Sequence, residues 1–456
     1  MIRANDRGGS PFEQEVRMSV TNERLSELVD WKQGLISPEI FIDEQIYQLE
    51  LERLFGRTWL FLAHDSMLPK PGDFFSTYMG GDPVIVSRQK DGSVKAFLNV
   101  CRHRGMKVCR AEEGNTNAFM CTYHGWTYDG SGALVRVPNF EDAYYGELDM
   151  AKWGLVQIRT DNYKGLIFGN FDDSAPSLID YLGEMTWYID GWLDRTEGGI
   201  EVVPGVIKWT IRGNWKIAAE QFGGDSYHAQ ITHVSSFGQT PTFNQANRVP
   251  GHQHASRLGH GQTVGRTASQ QRLPNRFAWD DIVAEYREKN FADAAERLGA
   301  ERPLGQNFTV FPNFSGLGQA QNIRVWQPKG PNHFEVWSWT IVDKDAPDEV
   351  KAAQQRGAIH TEGAAGLVEI DDGENWNLMG EILEHGSQSR RHAWNYQMGM
   401  GHEIADHPVL PGQIGPHRFG DIPQRAFYRR WLEFLTSPQW PRVDESELAR
   451  IPSAAS

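Results

Sequence analysis

The three cysteines of this 456-residue chain, Cys101, Cys109 and Cys121, all fall within one stretch of 21 residues. Two of them are closely followed by histidine: the pattern reads Cys101-x-His103, a gap of 17 residues, then Cys121-x-x-His124. Three cysteines are too few to staple a chain of this length with disulfides. Thiolates and imidazoles spaced this way are instead a metal-ligand set. A fold that uses them must bring two loops, each giving one Cys and one His, to a single point. Both loops run on into glycine, as CRHRG and CTYHGW, which permits close approach of the backbone.

Two kinds of site accept such a set. Zinc takes four such ligands, although ordinary zinc fingers pair Cys with Cys and His with His. A Rieske [2Fe–2S] cluster takes the Cys pair on one iron and the His pair on the other, and the mixed loops favour it. Neutral imidazoles in place of two thiolates remove negative charge, so the oxidised cluster accepts an electron more readily. Backbone N–H groups near the sulfurs would tune the potential, and Trp126 would shield the cluster. Cys109 lies outside the pattern and reads as a small buried hydrophobe.

A second constellation lies further on, in residues 214–233, NWKIAAEQFGGDSYHAQITH. His228 and His233 are five apart, which a regular helix turns about 140° away from each other. Both reach one metal only at a helix end or a π-bulge. Gly223–Gly224 already weakens the preceding turn. Asp225, three residues before His228, can accept the proton of that imidazole's outer nitrogen. A third ligand is available in residues 369–376, EIDDGENW, where residue type alone does not choose between Asp371, Asp372 and Glu374. Two His and one carboxylate on one face of Fe(II) leave the opposite face open for dioxygen and substrate.

Around these motifs, residues 58–177 read as a small all-β module. Val84–Val86 and Val94–Leu98 flank the hairpin signal Asp91–Gly92, Asp129–Gly130 marks a second turn, and Gly165–Gly169 a closing strand. Residues 1–57 read as a polar lead-in and a helical segment packing on the larger domain, 178–456. In that domain the pattern predicts helical signals over 214–235 and a helix over 279–298. It predicts an antiparallel pair over 321–343 turning at Pro328–Pro331, and a helix start at Asp345–Glu349. Phe427, Trp431, Phe434 and Leu435 share one helix face. The polar stretch 238–275 reads as a loop or lid, with His252, His254 and His260 solvated.

The net charge of −14 argues against nucleic acid, whose phosphates demand a basic surface. No apolar run approaches the ~18 residues of a membrane span. The first twenty residues lack the apolar core of a signal peptide, so a cytoplasmic location is expected. No glycine-rich dinucleotide or phosphate loop is present, so nicotinamide chemistry is expected on a separate protein.

Together, the CRHRG and CTYHGW boxes and the N-W-K…E…D-x-Y-H-x₄-H box resemble the large (alpha) subunits of Rieske non-haem iron aromatic-ring-hydroxylating dioxygenases. The likeness is to the naphthalene, biphenyl and polycyclic aromatic types, over nearly the whole chain beyond about residue 40. It implies an α+β fold: a small all-β Rieske domain plus a larger catalytic domain with an antiparallel sheet covered by helices. By the same resemblance Cys101, His103, Cys121 and His124 hold the [2Fe–2S] cluster, and His228, His233 and Asp372 hold one mononuclear Fe(II). Asp225 would bridge His228 on its own chain and His124 across a subunit interface. The implied partners are an aromatic substrate and dioxygen, a small (beta) subunit in an alpha3beta3 assembly, and a ferredoxin with an NAD(P)H-dependent reductase. The implied product is a cis-dihydrodiol. Gln221, which matches the biphenyl-like members, and Phe222 are pocket candidates. Glu362, ten residues before Asp372, falls where several relatives place a pocket aromatic; a surface glutamate is the other reading. A Rieske monooxygenase or demethylase, and a pure electron carrier, are the alternative functions.

Overall fold

The computed structural model describes residues 20–234, 251–265, 280–318 and 321–443. Two antiparallel sheets organise the chain. The first has seven strands, in the spatial order Leu60–His64, Leu166–Asn170, Gln157–Tyr163, Val94–Leu98, Asp82–Arg88, Asp73–Met79 and Glu113–Asn115. The expected hairpin is there, with Val84 opposite Leu98 and Val86 opposite Ala96. Leu166–Asn170 is buried along its length. A separate three-stranded sheet, Ala118–Met120, Thr127–Asp129 and Leu134–Arg136, stands over it and carries the second Cys-His loop.

The second sheet has nine strands and is built around the hairpin of Asn322–Gly330 and His333–Asp343. Side chains alternate along these strands, and the alternation assigns the faces. Trp339 and Trp337 turn toward the first sheet, where Phe75 meets both and Phe61 meets Trp339 and stacks on Phe314 at 4.4 Å. Arg324 and Trp326 lie on the other face, against Phe222 of helix Trp215–Gly224. The sheet is thus buried on both sides. The turn is tighter than the proline spacing suggested: the strand runs through Pro328 to Gly330, which pairs with His333, and the chain reverses at Pro331–Asn332.

Helices cover the outer face. Helix Asp281–Leu298 matches the expected segment, and helix Asp348–Glu362 begins after Pro347 with Asp348 and Glu349 in its first turn. Helix Ile422–Thr436 buries Phe427, Trp431, Phe434 and Leu435. Among the described residues no helix is long and apolar enough to cross a membrane.

One expectation is overturned. The described parts of the 238–275 stretch are two central strands, Gly251–Ala255 and Gly261–Gly265, and His252, His254 and His260 are buried at 3%, 0% and 0% exposure. Residues 235–250 and 266–279 of that stretch and its borders lie outside the described residues. The glycines that suggested a loop serve close packing. A Cβ at Gly261 would stand 2.6 Å from the Gly223 carbonyl, so only glycine lets this strand pass under the helix.

Candidate metal centres

The two Cys-His loops have the same backbone construction. The Cys101 N–H donates to the Met106 carbonyl and the Gly105 N–H to the Cys101 carbonyl, at 2.8 and 2.9 Å. Cys121 repeats this with Trp126 and Gly125 at the same two distances. Gly105 and Gly125 close the turns at φ 73° and 74°, a left-handed conformation that favours glycine. The loops bury Cys101 and Cys121 to 3% and 1% exposure and leave both His rings partly exposed. The His103 and His124 Nδ1 atoms face each other at 3.1 Å.

The surroundings suit a cluster. Trp126 stacks on His103 at 5.0 Å. The Tyr128 hydroxyl lies 3.3 Å from Cys101 Sγ and accepts the Arg102 N–H at 3.0 Å. Burial raises the Cys121 thiol, while N–H groups of Tyr123 and His124 aimed at its sulfur pull the other way. Burial, His124 and Arg104 hold His103 below its ordinary value, in the neutral form a ligand requires. None of the three cysteines is in a disulfide. Cys109 is buried apart from the set, its backbone N–H held by the Asn99 side chain at 2.8 Å.

The second centre grows from helix Trp215–Gly224. Its start is capped by Asn214, which accepts the Lys216 N–H. Carbonyls near its end are satisfied by side chains of the sheet: Thr309 donates to Ala219, Asn307 to Phe222 and Gln253 to Gly224. Beneath it lies a buried cluster in which Glu50 accepts from Lys216 Nζ, Trp215 Nε1 and Trp431 Nε1 at 2.6, 3.0 and 2.7 Å. The helix ends at Gly224, where a Cβ would stand 2.5 Å from Pro423. Asp225 then leaves the helical region and accepts the N–H groups of Tyr227 and His228. This starts the single turn Ala229–Thr232, with His228 and His233 at its two ends. A helix break therefore solves the five-residue spacing.

His228 Nε2 and His233 Nε2 each lie 3.5 Å from Asp372 Oδ1. Among the described residues these three side chains form the one group of His, Cys, Asp or Glu whose donor atoms all lie within 4.8 Å of one another. No hydrogen bond satisfies the buried Asp372 Oδ1. A separation of 3.5 Å is long for a hydrogen bond but is what two donors show when each sits roughly 2.1 Å from one ion. The outer nitrogens also face carboxylates: His233 Nδ1 is hydrogen-bonded to Asp371 at 3.2 Å, and His228 Nδ1 is paired by charge with Asp225 at 3.2 Å. Burial works against a charged imidazole, yet Asp225 and Asp372 raise His228 to about 9. Three carboxylates around two imidazoles call for a cation, and the site fits one. Glu374, the remaining acidic candidate, is exposed.

The other candidates separate. Gln221 is held by the Trp376 indole N–H at 2.8 Å, with its Nε2 3.5 Å from His228 Nε2. Phe222 is buried against Trp326 and Arg324. Glu362 is neither a surface residue nor alone: it is buried in an ion pair with Arg324. Tyr128, Trp376 and Asp371 in its outer role were missed from sequence, because a tyrosine or tryptophan carries no signal of its partner.

The family described as Ring hydroxylating alpha subunit (catalytic domain) matches residues 180–437, and the Rieske [2Fe-2S] domain matches residues 58–153. The chain belongs to the alpha subunits of the Rieske ring-hydroxylating dioxygenases. Such a subunit is the terminal oxygenase of an aromatic-ring dioxygenase, with a Rieske [2Fe–2S] domain and a catalytic domain that binds a mononuclear non-haem iron. The chain is 44% identical to the benzene 1,2-dioxygenase subunit alpha of Pseudomonas putida, covering 93% of this chain and 96% of that one. It is 43% identical to the biphenyl 2,3-dioxygenase subunit alpha of Rhodococcus jostii (strain RHA1), covering 93% and 94%. The solved naphthalene 1,2-dioxygenase from Rhodococcus sp. bound to indole superposes with a TM-score of 0.78 at 35% identity, covering 91% and 98%.

Proposed function

We propose that Cys101, His103, Cys121 and His124 hold the [2Fe–2S] cluster, that His228, His233 and Asp372 hold the Fe(II), and that the enzyme adds both atoms of dioxygen to an aromatic hydrocarbon ring to give a cis-dihydrodiol. The carrying observation is the convergence of two His Nε2 atoms and one Asp oxygen within 4.8 Å, each imidazole held from behind by its own carboxylate. When bound, the cluster stores single electrons and the Fe(II) activates dioxygen. The chain's own residues do the rest. Asp225 and Asp371 orient the two imidazoles and keep their outer nitrogens protonated. Gln221, tethered by Trp376, and Phe222 line the substrate side, and the latter makes it apolar.

Asp225 has a second role in this reading. Its side chain keeps 32% exposure, and Oδ2, which faces His228, has a second lone pair with which to meet His124 of a second chain, while Oδ1 accepts the two backbone N–H groups. Burial would raise this carboxyl, but His228 and two backbone N–H groups hold it below the usual range, charged and ready to accept from a second imidazole. The assembly is then an oligomer, with a small beta subunit in an alpha3beta3 arrangement, in the cytoplasm. Electrons arrive from NAD(P)H by way of a reductase and a ferredoxin. The relatives named for benzene and biphenyl support an arene substrate.

Asp225→Ala tests the bridge: with the cluster intact and the mononuclear site loaded to full occupancy with excess Fe(II), turnover should disappear, and full activity would refute it. Oxygen-18 counting in the product tests the reaction, since one labelled atom instead of two makes the enzyme a monooxygenase.

A further inference from the structure

Arg324 is fully buried at 0% exposure near the start of strand Asn322–Gly330. Its guanidinium reaches two acids. Nη2 lies 3.0 Å from Glu362 Oε2 and donates to the Glu362 carbonyl at 3.1 Å, and Nη1 lies 2.7 Å from Glu369 Oε2. Glu362 is the last residue of helix Asp348–Glu362 and Glu369 the first of helix Glu369–His385. One side chain therefore ties together the two helix ends that bound the connection 363–368.

The turn beyond Glu369 connects this tie to the metal trio. Asp372 stands three residues on, one turn away, where i and i+3 side chains share a helix face. Asp371 in the same turn reaches His233. The face of the guanidinium also lies 4.8 Å from the Phe222 ring, on the helix that leads into His228. Arg324 thus touches the end of the helix that carries Asp372 and the helix that precedes the two-histidine turn. Burial raises both carboxyls, against the pull of Arg324. A buried ion triad is a poor source of stability, because apolar side chains of similar size often do as well. Its value here is placement: one planar guanidinium hydrogen-bonds Glu362 and draws Glu369 Oε2 to 2.7 Å by charge, so the two helix ends stay together.

We propose that Arg324 is a positioning residue for the mononuclear iron, clamping Glu362 and Glu369 so that the first turn of the following helix holds Asp372 at the two imidazoles. This rests on the assignment of His228, His233 and Asp372 to the iron. Arg324 touches none of those donors and acts through Glu369 and Phe222.

The test is equilibrium dialysis of Fe(II) alone against the full-length protein stripped of its mononuclear iron, with the visible spectrum confirming that the [2Fe–2S] cluster is intact. Arg324→Met should weaken Fe(II) binding about 10-fold, the low end of the loss found when a direct partner of a metal ligand is removed. Arg324→Lys, which keeps the charge but not the planar group that reaches both acids, should recover only part of it. Should Arg324→Met fail to fold, Glu369→Gln, which loosens only the tie to the second helix, should still weaken Fe(II) binding. Asp372→Asn separates the two levels. If it loses Fe(II) while the folded clamp variants bind like wild type, the clamp is wrong. If Asp372→Asn also binds like wild type, the ligand assignment is wrong.

Discussion

Acid should unfold this protein partly through its buried histidines, and His260 isolates the effect. His260 Nδ1 accepts the Phe311 N–H at 2.9 Å, and Nε2 lies 2.7 Å from the Tyr181 carbonyl, to which its N–H donates. The neutral ring satisfies both bonds, whereas a second proton on Nδ1 would confront the Phe311 N–H. Burial, helped by Arg430 and opposed by the Tyr181 carbonyl, pushes His260 from 6.5 down to about 4. Between those values the unfolded chain binds the extra proton and the native chain does not, so this contribution is complete above about pH 6.5 and shrinks as acid is added. Integrating the two titrations gives a loss of about 2 kcal/mol from about pH 7.5 to about pH 5. The assay is the urea midpoint against pH for wild type and for His260→Gln, whose amide can donate and accept but cannot titrate. The variant should begin less stable and fall less steeply below pH 6.5. Parallel curves would show that His260 is not held neutral by its surroundings.

Glu50→Ala leaves Lys216 buried without its counter-charge and should cost about 3–5 kcal/mol, read as a lower melting temperature. Gly224→Ala drives a methyl into Pro423 beside Asp225, with a cost of about 1–3 kcal/mol; metal analysis should find the mononuclear iron reduced and the cluster retained. Cys109→Ala should keep the visible spectrum of the cluster whereas Cys121→Ala should abolish it. A colourless Cys109→Ala protein would move Cys109 into the ligand set.

Much of the site was legible because metal ligation constrains residue type and spacing at once. The paired CRHRG and CTYHGW boxes stand on identical turns, and the break expected near His228 follows from glycine beside Pro423. Carboxylate choice was not legible: Asp371 and Asp372 are adjacent, and only the direction of the helix turn sends one to the outer nitrogen of His233 and the other between the imidazoles. The strand Gly251–Ala255 was misread for a related reason. Its histidines and glycines look polar and loose in sequence, but Gly261 is needed where strand meets helix, and His254 stacks on Tyr188 at 4.0 Å. Tyr188 and Gly223 pack against these residues from far along the chain, and local patterning carries no record of them. The same holds for Arg324, whose two acids lie 38 and 45 positions away along the chain.

Counting iron and acid-labile sulfide on anaerobically purified protein probes the heart of the matter: two distinct iron centres on one polypeptide. The expected result is about three irons and two sulfides per chain, falling to about two irons with unchanged sulfide in His228→Ala. Zinc in place of iron, absence of sulfide, or an iron count untouched by His228→Ala would contradict it.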